Sequence, residues 1–586
     1  MDSLLQFLLA SLPILYLLYQ LIPKIIKNKS KSNVHGQFRS PPGPHGMPFI
    51  GNLHQIDKSN FHISLWSLSK SYGPVVSLNL GFIPAIVISS ASVAKEILKT
   101  QDLTFCSRPS FHGLQRSLPI LYLLYLIPKI IKNKSKSNVH GQFRSPPGPH
   151  GMPFIGNLHQ IDKSNFHISL WSLSKSYGPV VSLNLGFIPA IVVSSASVAK
   201  EILKTQDLTF CSRPSFHGLQ RSSRFIREDE VSLAMEKIHG LALSSKHVNL
   251  SEIAHIVMSN MVTRIGFGKR YEDGYESKEI LRLLHELQAT LTNYFISDLW
   301  PDFPLVGLID RLLGKFYRLE KCLQGLDSFY QNLIDEHLDT EYSKPNEEHE
   351  DLIDILLQLR NGQLSDSFEL TNDHMKAMLT DILVAGTDNS AATLVWAMTT
   401  LVKYPKAMKK AQEEVRKMVQ NKDKVDEDDL PKLTYLKAVV KEVMRLYPAA
   451  PLLIPRVTMK DAILLDYKIK QNTLVYVNAM AIGRDPESWE NPEEFSPERF
   501  LGSDIGFKGS DFELIPFGAG RRICPGISMG VNSVELFLAN LIYSFDWGLP
   551  DGTKIEDIDS GVLPGLTMTN KKDLCLLAHF NSNSPN

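Results

Sequence analysis

The chain has 586 residues, 43% of them hydrophobic, which is enough for a large buried core. Its 62 basic and 62 acidic residues balance, which argues against nucleic acid as a partner. The cysteines show neither metal-finger spacing nor a disulfide framework; they are Cys106, Cys211, Cys322, Cys524 and Cys575. This sparse usage indicates a reducing compartment and one chemically special cysteine.

The N-terminal residues 3–23 are almost all apolar, about the twenty that a bilayer crossing needs. Lysines follow at positions 24, 27, 29 and 31. A cleaved signal peptide is the alternative, but its charges would precede the apolar run, and no small-residue cleavage site is evident. We therefore expect residues 1–23 to form a transmembrane anchor, with everything after Lys24 in the cytosol.

A long segment then occurs twice. Residues 11–116 recur as residues 117–221, except that Gln20 has no counterpart and Ile88 becomes Val193. Copies this alike indicate a recent duplication or a gene-assembly error. In each copy a stiff proline-rich hinge, RSPPGPHGMPFIGN, precedes two predicted strands.

Only one set of these strands can fill one place in one sheet. The second copy, residues 117–221, joins the rest of the chain directly, whereas docking the first would loop the second out. We therefore expect Pro179 to Ser195 to form the sheet strands. The first copy, residues 24–116, is then surplus, and Pro74 to Ser90 are displaced.

Beyond the repeat the chain is predicted to be mostly helical. Apolar residues recur at helical spacing in Leu352 to Leu359, in Leu370 to Tyr404 and in Pro431 to Leu446. The longest of these helices contains the small residues of Ala385-Gly-Thr-Asp-Asn-Ser390.

The segment FGAGRRICPG, Phe517 to Gly526, is the strongest candidate for chemistry. A cysteine thiolate that binds iron needs a rigid loop whose backbone N–H groups point at the sulfur, and glycines permit that approach. Gly520 and Gly526 bracket Cys524 suitably. A helix predicted to start just afterwards would stabilise the thiolate through its N-terminal dipole.

These residues resemble the cytochrome P-450 signature F-x-x-G-x-R-x-C-x-G, matched at Phe517, Gly520, Arg522, Cys524 and Gly526. Glu442-Val-Met-Arg445 resembles the family's E-x-x-R, and Pro497-Glu-Arg499-Phe500 its P-E-R-F. The spacing of three places Glu442 and Arg445 on one helix face. The resemblance implies that they form one structural network with Arg499.

The resemblance also implies the fold and the site. The fold is then mainly α with small β-sheets, an α+β cytochrome P-450 fold, with residues 222–586 as the haem-binding catalytic domain. Cys524 would be the axial ligand of haem b, whereas Arg456 and Arg522 would bind its propionates. Asp388 would belong to the proton-delivery path above the haem, together with Asn389 and Ser390.

The function implied is that of a plant microsomal A-type monooxygenase in the endoplasmic reticulum membrane. It would insert one oxygen atom from O2 into a small hydrophobic substrate, with electrons from an NADPH-cytochrome P-450 reductase. Two alternatives stay open. One is a dehydratase or isomerase that uses the same haem without a reductase, and the other is an inactive product of a damaged or mis-assembled gene.

The sequence departs from the family's pattern in two places. Asn389 stands where the family usually has threonine, whose hydroxyl helps to deliver protons for O–O cleavage; an amide is no useful acid. The helix bearing W-x-x-x-R, which follows the S-R-P element (here Arg213 and Pro214), is missing, since no tryptophan has an arginine four residues later. We therefore expect one wall of the haem site to be open.

Overall fold

The computed structural model describes a large part of the chain but not all of it. The described residues are 39–57, 60–108, 147–152, 157–160, 166–178, 180–185, 188–193, 217–271, 279, 282–283, 286–287, 295, 310–339, 350–361, 370–419, 422–558, 561–563 and 566–581. The predicted anchor, residues 1–23, lies outside them, as do Arg213 and Pro214. Within the described part, no helix is long and apolar enough to span a membrane.

Helices dominate the described chain. They are α1 Phe61–Tyr72, α2 Ala91–Lys95, α3 Asp102–Phe105, α4 Phe166–Tyr177, α5 His217–Leu243, α6 Leu250–Phe267, α7 Lys315–Leu338, α8 Leu352–Asn361, α9 Asn372–Lys403, α10 Pro405–Met418, α11 Thr434–Leu446, α12 Ala479–Ile482 and α13 Ile527–Ser544. Short 3-10 turns include Leu430–Lys432, Pro497–Phe500 and Gly520–Arg522. The three helices expected from apolar spacing are therefore present as α8, α9 and α11.

The strands are short. They are β1 Val75–Leu80, β2 Ile83–Ile88, β3 Val180–Leu185, β4 Ile188–Val193, β5 Val248–Asn249, β6 Arg456–Val457, β7 Ala462–Leu464, β8 Tyr467–Ile469, β9 Leu474–Val477, β10 Phe545–Gly548 and β11 Cys575–Phe580. The described residues form a four-stranded sheet in the order β1-β2-β9-β6, a three-stranded sheet β10-β11-β5, and the pairs β3-β4 and β7-β8. The expected mainly helical fold with small sheets is confirmed.

Helix α9 runs through the largest apolar core. Thr371 and His374 form a capping box at its start, in which each side chain bonds the other residue's backbone N–H. Near its other end Trp396 is buried, stacks on Tyr447 with ring centroids 4.3 Å apart, and donates its indole N–H to the carbonyl oxygen of Met568 at 2.7 Å. Because both ends are fixed, the central turns of α9 hold a defined position in the core.

The sheet contains the first copy of the duplicated segment, so the prediction for the second copy is wrong. Strand β2 lies between β1 and β9, and it pairs in parallel from Ala85 with Leu474 to Ile88 with Val477. The second copy forms the hairpin β3–β4, which within the described residues pairs only with itself.

The physical reason lies in the size of the competing energies. Loop closure costs only about 0.6 kcal/mol more for each doubling of loop length, so the looped-out second copy adds a modest penalty. Ile88 is fully buried, and its extra methylene relative to Val193 contributes about 0.8 kcal/mol in favour of the first copy. The buried methylene of Ile88 opposes the loop-closure penalty, so connectivity alone does not decide which copy docks.

Candidate functional site

Cys524 lies in a loop whose shape depends on glycine. Gly520 has a φ of 73°, and a Cβ there would lie 2.0 Å from the carbonyl oxygen of Leu98, so no other residue fits this close approach. The backbone N–H of Cys524 donates to the carbonyl oxygen of Phe517 at 3.0 Å. These contacts fix the backbone on both sides of the sulfur.

The thiol is half-buried and lies two residues before Gly526, the N-cap of α13. Burial raises the pKa of the Cys524 thiol, and the hydrogen bond from the backbone N–H of Gly526 opposes that rise. The helix N-terminus and this donor are features that stabilise a thiolate once a cation lies beside it.

Three arginines converge next to this loop. Arg108 follows α3, Arg456 lies on β6, and Arg522 lies in the cysteine loop itself. The backbone N–H of Val457 donates to the carbonyl oxygen of Ser107 at 2.8 Å, and this bridge brings the first two arginines together.

The arginine cluster is buried at Arg456, half-buried at Arg108 and Arg522, and incompletely bonded. Arg108 Nη1 donates to the carbonyl oxygens of Ile454 and Pro455 at 2.7 and 3.0 Å. However, Arg108 Nε and Arg456 Nη1 are buried without a hydrogen-bond partner in the described part of the chain. Burial lowers the pKa of Arg456 to about 10, and the Arg522 guanidinium adds to the shift. Burial, followed by the charges of Arg456 and Arg522, also holds the pKa of Arg108 well below its usual value.

Asp102 is the carboxylate whose charge acts on Arg456, and it is already engaged, because Arg521 donates to it. Buried cations with unused donors are costly unless an anion neutralises them. The cluster therefore suits an anionic group that the described part of the chain does not supply.

Glu442, Arg445 and Arg499 are brought together by the structure. Arg445 binds Glu442 with two hydrogen bonds of 2.7 and 2.8 Å, and both side chains are fully buried. Arg499 Nε donates to the same carboxylate at 3.0 Å. The remaining Arg445 donors bond the carbonyl oxygens of Gly483, Pro492 and Glu494. The network joins α11 to the turn Pro497–Phe500 and is fully satisfied.

Asp388 and Asn389, in the middle of α9, have different surroundings. Asp388 is buried, and its carboxylate lies 3.3 Å from Nδ1 of His255 on α6. Asn389 donates to the carbonyl oxygen of Ala385 at 3.0 Å and accepts from the Thr567 hydroxyl at 3.1 Å. Both polar atoms of the Asn389 amide are therefore engaged.

Two further positions of α9 show how it packs. A Cβ on Gly530 of α13 would lie 3.5 Å from the hydroxyl of Ser390, so Ser390 faces the helix that follows Cys524. A Cβ on Gly386 would lie 2.8 Å from a methyl group of Val262 on α6. The missing side chain at Gly386 thus admits α6, whereas Ala385 is exposed.

Comparison with known proteins shows to which family the chain belongs. The family model "Cytochrome P450" matches residues 41–119, 146–231 and 211–577. The chain belongs to the cytochrome P450 family. Because the match covers most of the chain, the family's oxidoreductase chemistry and its haem cofactor come with it.

Several curated relatives are similar over nearly their whole length. The chain is 46% identical over 478 residues to a protein named 5-OH-xanthotoxin synthase from Pastinaca sativa, covering 74% of this chain and 93% of the relative. It is 44% identical over 515 residues to 6,7,8-trihydroxycoumarin synthase from the same plant, covering 80% and 98%. Cytochrome P450 71A9 from Glycine max is 41% identical over 494 residues, covering 78% and 97%. These relatives are plant enzymes of the A-type group.

The residues present fit a P450 haem. The donor set is a half-buried thiol in a rigid loop, and the unpaired Arg108 and Arg456 donors match the negative charge of haem propionates. Sequence reasoning identified Arg456 and Arg522 but missed Arg108, because it assigned the S-R-P element to the second copy. The first copy carries the same Ser107-Arg108-Pro109, so the signal was present in the sequence.

Proposed function

We propose that this cytochrome P450 is a haem-thiolate monooxygenase in which the Cys524 thiolate would hold the haem iron. The observation that carries the proposal is the convergence of Arg108, Arg456 and Arg522 beside the Cys524 loop, with buried donors unused. A site with one soft anionic ligand and several buried cations suits an iron porphyrin with two carboxylates.

Bound haem supplies the activation of O2 for insertion of one oxygen atom into a C–H bond. The chain's own contribution is positional and electrostatic. Gly520 and Gly526 hold the Cys524 sulfur, and the arginines neutralise the propionates. The Glu442 network keeps α11 and the turn Pro497–Phe500 in place.

Proton delivery is assigned to the middle of α9. Asp388 can accept a proton from His255 at 3.3 Å, which gives it a route toward solvent because His255 is about one-third exposed. Asn389 holds its amide between Ala385 and Thr567 and donates no acidic proton. Asp388 and the hydroxyl of Ser390 can move protons in this region.

The substrate we propose is a small aromatic compound of the coumarin type, which is hydroxylated. The names of the two Pastinaca sativa relatives, 5-OH-xanthotoxin synthase and 6,7,8-trihydroxycoumarin synthase, support this choice. Ala449 to Ile454, directly before β6, would line the substrate pocket; Leu453 in this segment lies close to Gly518 of the cysteine loop.

The proposed partners are an NADPH-cytochrome P-450 reductase and the endoplasmic reticulum membrane. Residues 1–23 would anchor the chain with the catalytic domain in the cytosol. The missing W-x-x-x-R helix would leave the haem site more open than in its relatives, so we expect a lower haem affinity.

A second candidate function is haem-dependent dehydration or isomerisation without a reductase. The observation that favours it is Asn389, because both of its polar atoms are engaged and it replaces the usual hydroxyl. Such a reaction needs no protons for O–O cleavage and no external electrons.

One experiment separates the two functions. Microsomes containing the full-length chain and a plant reductase are incubated with coumarin and its hydroxylated derivatives, with and without NADPH. The monooxygenase predicts hydroxylated products only with NADPH and reductase, with 18O from labelled O2. Products that form equally without NADPH, or that carry no label, would overturn the monooxygenase assignment in favour of the second candidate.

A further inference from the structure

The two copies of the duplicated segment form the same hairpin. Val75–Leu80 pairs with Ile83–Ile88, and Val180–Leu185 pairs with Ile188–Val193 in the same register. A helix of identical sequence precedes each hairpin, α1 in the first copy and α4 in the second. The local fold of the copies is therefore independent of where each one lies.

A close backbone contact of the hinge is repeated as well. A Cβ on Gly43 would lie 1.9 Å from the carbonyl oxygen of Ser77, and a Cβ on Gly148 would lie 1.9 Å from that of Ser182. The hinge thus packs on its own hairpin in both copies. In the described residues, the helix, the hairpin strands and the hinge contact of the second copy therefore match those of the docked first copy.

The hairpins differ in what lies beyond their second strand. Strand β2 pairs with β9, whereas β4, within the described residues, pairs only with β3. The sequence of β4 from Ala190 to Val193 equals that of Ala85 to Ile88, apart from the last residue. The edge of β4 that is unpaired within the described residues therefore has nearly the same sequence as β2, the strand with which β9 already pairs.

We propose that this edge of β4 is a second docking surface for β9 of the same chain. Hairpin β3–β4 can then replace hairpin β1–β2 as the partner of β9, and the two arrangements interconvert. Either copy offers β9 the same backbone hydrogen bonds. A residue that accompanies docking of the first copy also has a counterpart in the sequence of the second. Gln101 donates to the carbonyl oxygen of Ile463, and Gln206 occupies the same place in the second copy.

The balance between the two arrangements rests on two opposing terms. Docking the first copy buries the additional methylene of Ile88, which is fully buried beside β9. Docking the second copy avoids the loop-closure penalty that arises when the second copy is looped out. This penalty grows only slowly with loop length. No other residue of the two hairpins differs, so the arrangements lie close in free energy.

The test uses proline, which lacks the N–H that a central strand needs. Val87→Pro blocks β2, the matched Val192→Pro blocks β4, and a third full-length variant carries both. Hydrogen exchange with mass spectrometry then reports on each hairpin, since the peptides with Ile88 and Val193 differ by one methylene group.

If the second hairpin can replace the first on β9, Val87→Pro should keep a cooperative urea transition. Slow hydrogen exchange should then move from the first-copy peptide to the Val193 peptide. Val192→Pro alone should leave slow exchange at Ile88, and the double variant should lose the transition. If Val87→Pro is as damaged as the double variant, or if its Val193 peptide exchanges as fast as in wild type, the proposal fails. A dimer of Val87→Pro in gel filtration would also overturn it, since β4 would then dock on another chain. None of these readouts depends on haem.

Discussion

Val457 donates its backbone N–H to the carbonyl oxygen of Ser107 at 2.8 Å, and this one bridge sets Arg108 beside Arg456. Two distant parts of the chain thereby place buried positive charge at one point. In the absence of an anion the arrangement is unfavourable, because burial and like charge lower the pKa of Arg456 to about 10. A bound anion would neutralise this charge and remove its cost to the stability of the folded state.

Arg456→Met should therefore separate stability from haem binding. The folded pKa of Arg456 lies below its unfolded value, so the charged form disfavours folding at neutral pH, and its removal should leave the haem-free protein equally or more stable in urea. Haem affinity should fall by roughly 10–150-fold, the equivalent of a lost hydrogen bond to a charged group. Arg456→Lys, which keeps the charge, should lose less. Equal haem affinity in Arg456→Met would show that the cluster binds no propionate.

Glu442→Ala should be severely destabilising, because it leaves Arg445 fully buried and deprives Arg499 of its carboxylate. Breaking a buried pair in this way costs about 3–5 kcal/mol. The matched control is Glu498→Ala, whose exposed pairing with Lys410 contributes about 1 kcal/mol or less. Urea unfolding compares them; equal losses in the two variants would contradict a special role for Glu442.

Asn389→Thr should improve the use of electrons if the monooxygenase assignment holds. A hydroxyl at this place can relay protons that the engaged Asn389 amide cannot. We expect several-fold more product per NADPH and less hydrogen peroxide, with an unchanged carbon monoxide spectrum. Ser390→Ala is the companion variant, and it should lower the product yield if Ser390 now relays protons. No change in either variant would remove both residues from the proton path.

Deleting either copy should preserve the fold. Removal of residues 117–221 and removal of residues 11–116 yield chains that differ only by Gln20 and by isoleucine or valine at one position. Both should be more soluble than the full chain, because an unpaired strand edge is removed. The chain that retains Ile88 should be more stable by about 1 kcal/mol. Insoluble or haem-free protein from both deletions would show that the surplus copy has a structural task.

Much of the fold and the site follows from the sequence. The spacing of Glu442 and Arg445 is a local property of one helix, and the P-E-R-F turn supplies the third member, so their meeting could be predicted. The long helix α9 was likewise visible in its apolar spacing. In each case the residues that matter are close in sequence or carry a distinctive motif.

Other features depend on tertiary contacts that no local pattern reveals. The sequence does not show that Gly386 faces Val262, or that His255 pairs with Asp388, because each partner lies on another helix. The choice between two nearly identical hairpins depends on one buried methylene and on loop entropy. The missing prediction of Arg108 followed directly from the wrong choice of copy.

The most direct test of the central claim is the difference spectrum of the dithionite-reduced, carbon monoxide-bound protein, measured for wild type and for Cys524→Ala. The wild-type spectrum should show the red-shifted Soret band of a thiolate-ligated haem, and the variant should lose it. Cys322→Ala, which changes a buried cysteine remote in sequence from the site, serves as the control and should keep the band. A thiolate-type band that persists in Cys524→Ala, or that is absent from haem-loaded wild type, would contradict the assignment of Cys524.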